Sequence, residues 1–117
     1  MIEITSVKES IEKDPQNWAV YLMDFVDDFR RNKDLRALSN PFSGTPTRWD
    51  ALLASTATCL CQELNLAVPE WVEAVPSCQV PWFVSGKENL KAIALVQSPL
   101  PFRLRKIFVL ENFLSRV

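Results

Sequence analysis

Asp24, Asp27 and Asp28 stand close together, and with Glu63 they are the residues whose type and spacing come nearest to a chemical site. Positions 24 and 28 lie one helical turn apart and share a face, so their carboxylates could converge on a hard cation. The same spacing describes a solvated helix surface, and Arg31 follows Asp27 at ion-pair distance along a helix. We therefore expect a charged face there, and keep a small carboxylate-based metal protein as an alternative. Cys59-x-Cys61 has the look of a metal or redox pair. Two residues apart on a helix, however, the thiols point to nearly opposite sides, and Cys78 is distant, so buried structural thiols are expected. Ser55, Thr56 and Thr58 offer hydroxyls without a base to activate them; bonding back to the helix carbonyls is their ordinary use.

Two absences narrow the chemistry further. The chain has no histidine, the commonest acid or base near neutral pH and the commonest neutral metal ligand. Its two glycines, Gly44 and Gly86, are far apart, so no glycine-rich loop can cradle a phosphate. No catalytic residue, metal ligand or cofactor site is assigned, and we expect a protein that is not an enzyme.

Binding is the remaining kind of function. Trp71 and Trp82 flank a proline-studded stretch, and Phe83, Phe108 and Phe113 add aromatic surface nearby in sequence; these five are the candidate partner-binding residues. Lys87, Lys91, Arg103, Arg105 and Lys106 form the one locally basic region, with Phe102 and Phe108 interleaved, and are the candidate anion contacts. Against a nucleic-acid partner stands the charge of the whole chain, 13 basic against 14 acidic residues. Another protein is the expected partner, a helical nucleic-acid-binding regulator the alternative, and the oligomeric state is left open.

The elements that must position these residues are helical. Ile4, Val7 and Ile11 recur at helical spacing behind a Ser6/Glu9 capping pair, predicting a helix over 6–13. Asp14-Pro15 reads as a cap and first helical position for a second helix to Asn32, with Trp18, Leu22, Phe25 and Phe29 on its apolar stripe. Thr47 with Asp50 opens a central helix to about Leu64, and Ser85 with Glu88 opens another, leading into Leu90, Ile93, Ala94 and Gln97, that Ser98-Pro99 ends. Between them Pro69, Pro76 and Pro81 leave room for one short helix near Glu70–Ala74. Beyond Pro99, Phe102–Lys106 reads as a helical turn, Ile107–Leu110 as an apolar run that could be extended, and Glu111–Arg116 as a terminal helix. The expected fold is all-α: one domain over 1–117, a compact orthogonal bundle of about five helices with a proline-rich ordered loop and an irregular C-terminal segment. Three sparse cysteines fit free thiols in a reducing compartment, and with no export signal or membrane-length apolar run a cytoplasmic location is expected.

Taken together, the stretches Trp18–Arg31, Arg48–Ser55, Pro81–Gly86 and Phe102–Arg116 resemble a family of small uncharacterised bacterial proteins. Some members of that family occur beside nucleotidyltransferase-like proteins in what look like toxin-antitoxin modules. The resemblance spans most of the chain, assigns no catalytic or binding residue, and implies a partner protein rather than an enzyme.

Overall fold

The computed structural model of the chain describes residues 1–115. Helix α1 (Ile4–Lys13) buries Ile4, Val7 and Ile11, the stripe read from sequence, against α2 (Trp18–Asn32), which contributes Leu22, Phe25, Val26 and Phe29. Helix α2 ends where Lys33 enters the left-handed region (φ 53°), its N–H donating to the Phe29 carbonyl at 2.8 Å. Both helices pack on α3 (Arg48–Glu63), which also touches α4 (Glu70–Glu73) and α6 (Leu100–Arg103). Every residue from Asp50 to Ala57 is buried, so α3 is surrounded for two turns. Ala51, Ala54, Ser55 and Ala57 make this possible, because small side chains let neighbouring elements approach from several sides at once.

Helices α1, α3 and α4 start within two residues of the expected positions, whereas α2 starts at Trp18 rather than Pro15 and the helix expected directly after Ser85 starts only at Lys91; Asp14 and Asp50 are used elsewhere. Ser6 donates from its hydroxyl to the Glu3 carbonyl at 2.7 Å, and α1 begins at Ile4 rather than Ser6. Asp14 does not cap the second helix: Pro15–Asn17 form a 3-10 turn, and the carboxylate accepts from Asn17 Nδ2 at 2.8 Å and the Tyr21 hydroxyl at 2.9 Å. Asp50 is diverted most of all. Its carboxylate meets Lys8 Nζ at 2.9 Å, with both side chains more than nine-tenths buried. Lys8 also donates to the Ser43 carbonyl at 3.0 Å and lies over the Phe42 ring, so one ammonium ties α1, α3 and the loop before α3 together.

Beyond α3 the expectation of an all-α fold needs correction. The described residues are mainly helical, with six α-helices, but they include a two-stranded parallel sheet pairing β1 (Trp82–Phe83) with β2 (Ile107–Phe108). The physical reason lies in the proline-rich stretch, whose remaining backbone donors need acceptors that no local helix supplies. Cys78, Trp82 and Val84 donate to the carbonyls of Arg105, Lys106 and Phe108 at 3.0, 2.8 and 3.2 Å. A parallel pair requires a long crossover. Here it carries a 3-10 turn (Glu88–Leu90), α5 (Lys91–Gln97) and α6. The apolar run at 107–110 is thus extended for two residues, whereas residues 111–114 form turns instead of the expected helix, whose last residue Arg116 lies outside the described residues.

Ser98 fixes the corner between α5 and α6. Its buried hydroxyl donates to the Ala94 carbonyl and accepts the Val109 N–H at 2.8 Å, stitching the end of α5 to the chain after β2. Replacing Ser98 by alanine strands that buried N–H, and we expect a loss of about 1–3 kcal/mol in urea unfolding. A loss below about 0.5 kcal/mol would mean that water replaces the hydroxyl without cost.

Candidate functional site

The acidic residues that could have held a cation are dispersed into separate structural contacts. Asp28 is buried, accepting the Ile2 N–H at 2.8 Å and Arg31 Nη2 at 3.1 Å. Glu63 forms a two-pronged pair with Arg30, both contacts at 2.9 Å, and the same guanidinium donates to the Leu114 carbonyl at 2.7 Å, clamping the C-terminal segment onto α2 and α3. Asp24 and Asp27 are exposed on α2. Among the described residues no three His, Cys, Asp or Glu side chains converge closely enough to hold a metal ion.

The Asp28 arrangement has a pH consequence. The Ile2 N–H holds its carboxyl below the ordinary aspartate range, burial opposes this, and Arg31 adds to the lowering. A group with a depressed folded pKa contributes stability above its unfolded value of roughly 3.9, and loses it as pH falls through the folded value. Asp28→Asn is therefore expected to lower Tm at neutral pH and to flatten the fall of Tm on the acid side. Melting curves collected from about pH 6 down to pH 2 test this, and an unchanged acid limb would contradict it.

The thiols are unbridged: Cys61 and Cys78 are buried and Cys59 half-buried. Burial, with the charge of Glu63 adding, pushes the Cys59 thiol up to about 11, far from the thiolate form a nucleophile needs. Thr56 and Thr58 bond back to the Leu52 and Ala54 carbonyls, both at 2.9 Å.

The five candidate aromatic anchors are all half-buried and engaged within the fold. Trp71 donates from Nε1 to the Leu38 carbonyl at 2.8 Å and meets Phe42 edge-on. Phe83 and Phe108 stack on each other across the sheet at 5.0 Å, with Lys91 over the Phe83 ring. Trp82, Trp49, Trp18 and Phe113 form a chain of ring contacts with successive centroid separations of 5.4, 5.9 and 6.3 Å. These rings weld the C-terminal segment to α2 and α3.

The basic cluster also separates. Arg105 is buried, and its guanidinium donates to the carbonyls of Val72 at 2.7 Å and Val75 at 3.2 Å, with Ser55 Oγ at 3.4 Å. It therefore closes the C-terminal end of α4, its donors engaged by these internal acceptors. Arg103 donates to the carbonyls of Val96 and Ser98 at 2.9 and 3.1 Å, and Lys91 pairs with Glu88 at 3.0 Å. Lys87 and Lys106 remain exposed.

Two surface features outside these sets emerge. Helix α5 buries only Ala94; its Ile93, Leu95 and Val96 are 45, 47 and 76% exposed, and Leu100 and Leu104 beside it are 61 and 69% exposed. Ile93, next to the buried Ala94, thus faces solvent, because a seven-residue helix resting on one alanine has a narrow contact line. Val96 and Leu100 bracket the Ser98-Pro99 corner, and the Arg103 bond to the Val96 carbonyl holds α6 against the end of α5. The second feature is a cleft of about 660 Å³ at the start of α3, between residues 45–48 and 76–82. Arg48 and Trp82 line it. Compared with family models, curated proteins and solved structures, the chain has no match. The aliphatic cluster had a signal in sequence, the density of Ile, Leu and Val over residues 93–104 without a clean helical stripe. Arg48 had none beyond its place next to Trp49.

Proposed function

We propose that this chain is a non-catalytic module that binds another protein through the aliphatic face of α5 and α6. The observation that carries the reading is the exposure of Ile93, Val96, Leu100 and Leu104 on one short stretch. Isolated apolar residues are ordinary on a surface, whereas a cluster from adjoining helices is the kind of feature that partners cover. Lys87, on the same stretch, is exposed, so the partner surface that fits is an apolar ridge with an acidic group at its edge. The non-catalytic part of the proposal is supported by the lack of histidine and by the structural use of Asp28, Asp50 and Glu63. From the family resemblance, the partner we propose is a toxin-like, nucleotidyltransferase-like protein in a bacterial cytoplasm. The nucleic-acid alternative is weakened because Arg105 is buried and Arg103 is tied to backbone carbonyls.

The test compares two charged variants in co-purification of the tagged chain with a stoichiometric, nuclease-resistant partner. Val96→Asp/Leu100→Asp is expected to lose that partner, while Val20→Asp, at an exposed valine of α2, keeps it. Equal recovery by both variants would refute the proposed surface. Recovery that depends on nucleic acid, or the absence of any partner, would refute protein binding itself.

A further inference from the structure

We propose that the cleft at the start of α3 binds a small organic anion, a carboxylate or phosphate carried on an apolar body, with Arg48 as the anion-binding group. This inference is independent of the α5–α6 surface. The guanidinium of Arg48 lies over the Trp82 ring at 4.6 Å and the Trp49 ring at 5.1 Å, while those rings meet edge-on. Contact with two indoles occupies guanidinium faces and orients the group, and because Arg48 is exposed the N–H donors at its edge stay open to solvent and to a ligand. Among the described residues they have no hydrogen-bond acceptor and no ion pair. The other arginines beside clefts or helices, Arg30, Arg31, Arg36, Arg103 and Arg105, all have a carboxylate or carbonyl.

The surroundings suit an anion. No aspartate or glutamate lines the cleft. Asp50, in the first turn of the same helix, is neutralised by Lys8. Cys78 lines the cleft and reports the local charge: burial pushes its thiol up, while Arg48 and, less strongly, Lys106 pull it down. Two cations thus act on this space in a chain whose net charge is −1. The walls supply the rest of the recognition. Pro46, Pro76, Val80 and Trp82 offer apolar surface, and Thr45 and Gln79 offer polar atoms near the rim. A volume of about 660 Å³ falls in the range of small-molecule sites, large for an inorganic ion alone. A planar guanidinium edge matches a carboxylate or phosphate with two parallel hydrogen bonds.

Because Trp49 and Trp82 touch Arg48, tryptophan fluorescence can follow binding. The full chain is titrated with benzoate, phenyl phosphate, inorganic phosphate and chloride at constant ionic strength, and the Arg48 Nε–H resonance is followed by NMR. We expect saturable changes with benzoate or phenyl phosphate, weaker ones with inorganic phosphate, and none with chloride. Arg48→Gln is expected to weaken binding at least about tenfold, and Arg48→Lys, which keeps the charge but loses the two-pronged edge, to weaken it nearly as much. Thermal melts of both variants confirm folding, and the wild-type Nε–H shift supplies evidence that needs no variant. Overturning results are a non-saturating response, an equal response to chloride, binding unchanged in Arg48→Gln, or an Arg48 Nε–H that does not move.

Discussion

Arg105→Ala is expected to destabilise the protein by about 3–5 kcal/mol. The guanidinium is buried between α3, α4 and the approach to β2, where burial, opposed by the charge of Glu73, lowers its proton affinity without depriving it of charge. Truncation would leave the Val72 and Val75 carbonyls without their donor and open space beneath α4. Since α4 is only four residues long, it has little intrinsic helical stability, and its position depends on such tertiary bonds. Arg105→Lys is expected to fall between wild type and alanine, because one ammonium on a flexible stem cannot reproduce a planar fork reaching two carbonyls and Ser55. Urea unfolding measures both variants; a loss below about 1 kcal/mol for Arg105→Ala would mean that the pairing is incidental.

The second large effect concerns the buried pair Lys8–Asp50. Lys8→Met is expected to cost about 3–5 kcal/mol, chiefly because it abandons the Asp50 carboxylate in a site from which water is almost excluded. Asp50→Leu should cost a similar amount by abandoning the ammonium. The double variant is expected to be much less destabilised than the sum of the two, since a buried apolar pair of similar volume needs no partner charge. A residual loss should persist, because Lys8 also holds the Ser43 carbonyl. Additivity of the single losses would contradict a direct interaction. As the pair anchors the loop that forms one wall of the Arg48 cleft, the Lys8 variant should also weaken anion binding there.

Much of this fold was legible in the sequence because apolar spacing reports burial directly. Ile4, Val7 and Ile11, and then Leu22, Phe25 and Phe29, are core residues on the faces their periodicity indicated. What spacing could not report was the use of polar groups over long separations. Asp50 has the position of a capping acid, and only the arrival of Lys8, far earlier in the chain, turns it into half of a buried pair. The parallel pairing of Trp82–Phe83 with Ile107–Phe108 is a contact of the same kind, with local signals too short to announce a sheet. The candidate sites suffered most. A run of basic residues in sequence became one buried helix clamp, one carbonyl donor and scattered surface charges, while α5 exposes Ile93, Leu95 and Val96, aliphatics that no helical stripe assigned to either side. A helix that short is positioned by its corners, Ser98 above all, rather than by its own apolar moment.

The central claim is that the α5–α6 surface is where a protein partner docks, and hydrogen exchange on the isolated stoichiometric complex tests it most directly. Slowed amide exchange concentrated at residues 91–104, absent in the Val96→Asp/Leu100→Asp variant, is the expected result. Protection confined to other parts of the chain, with 91–104 exchanging as in the free protein, would contradict it.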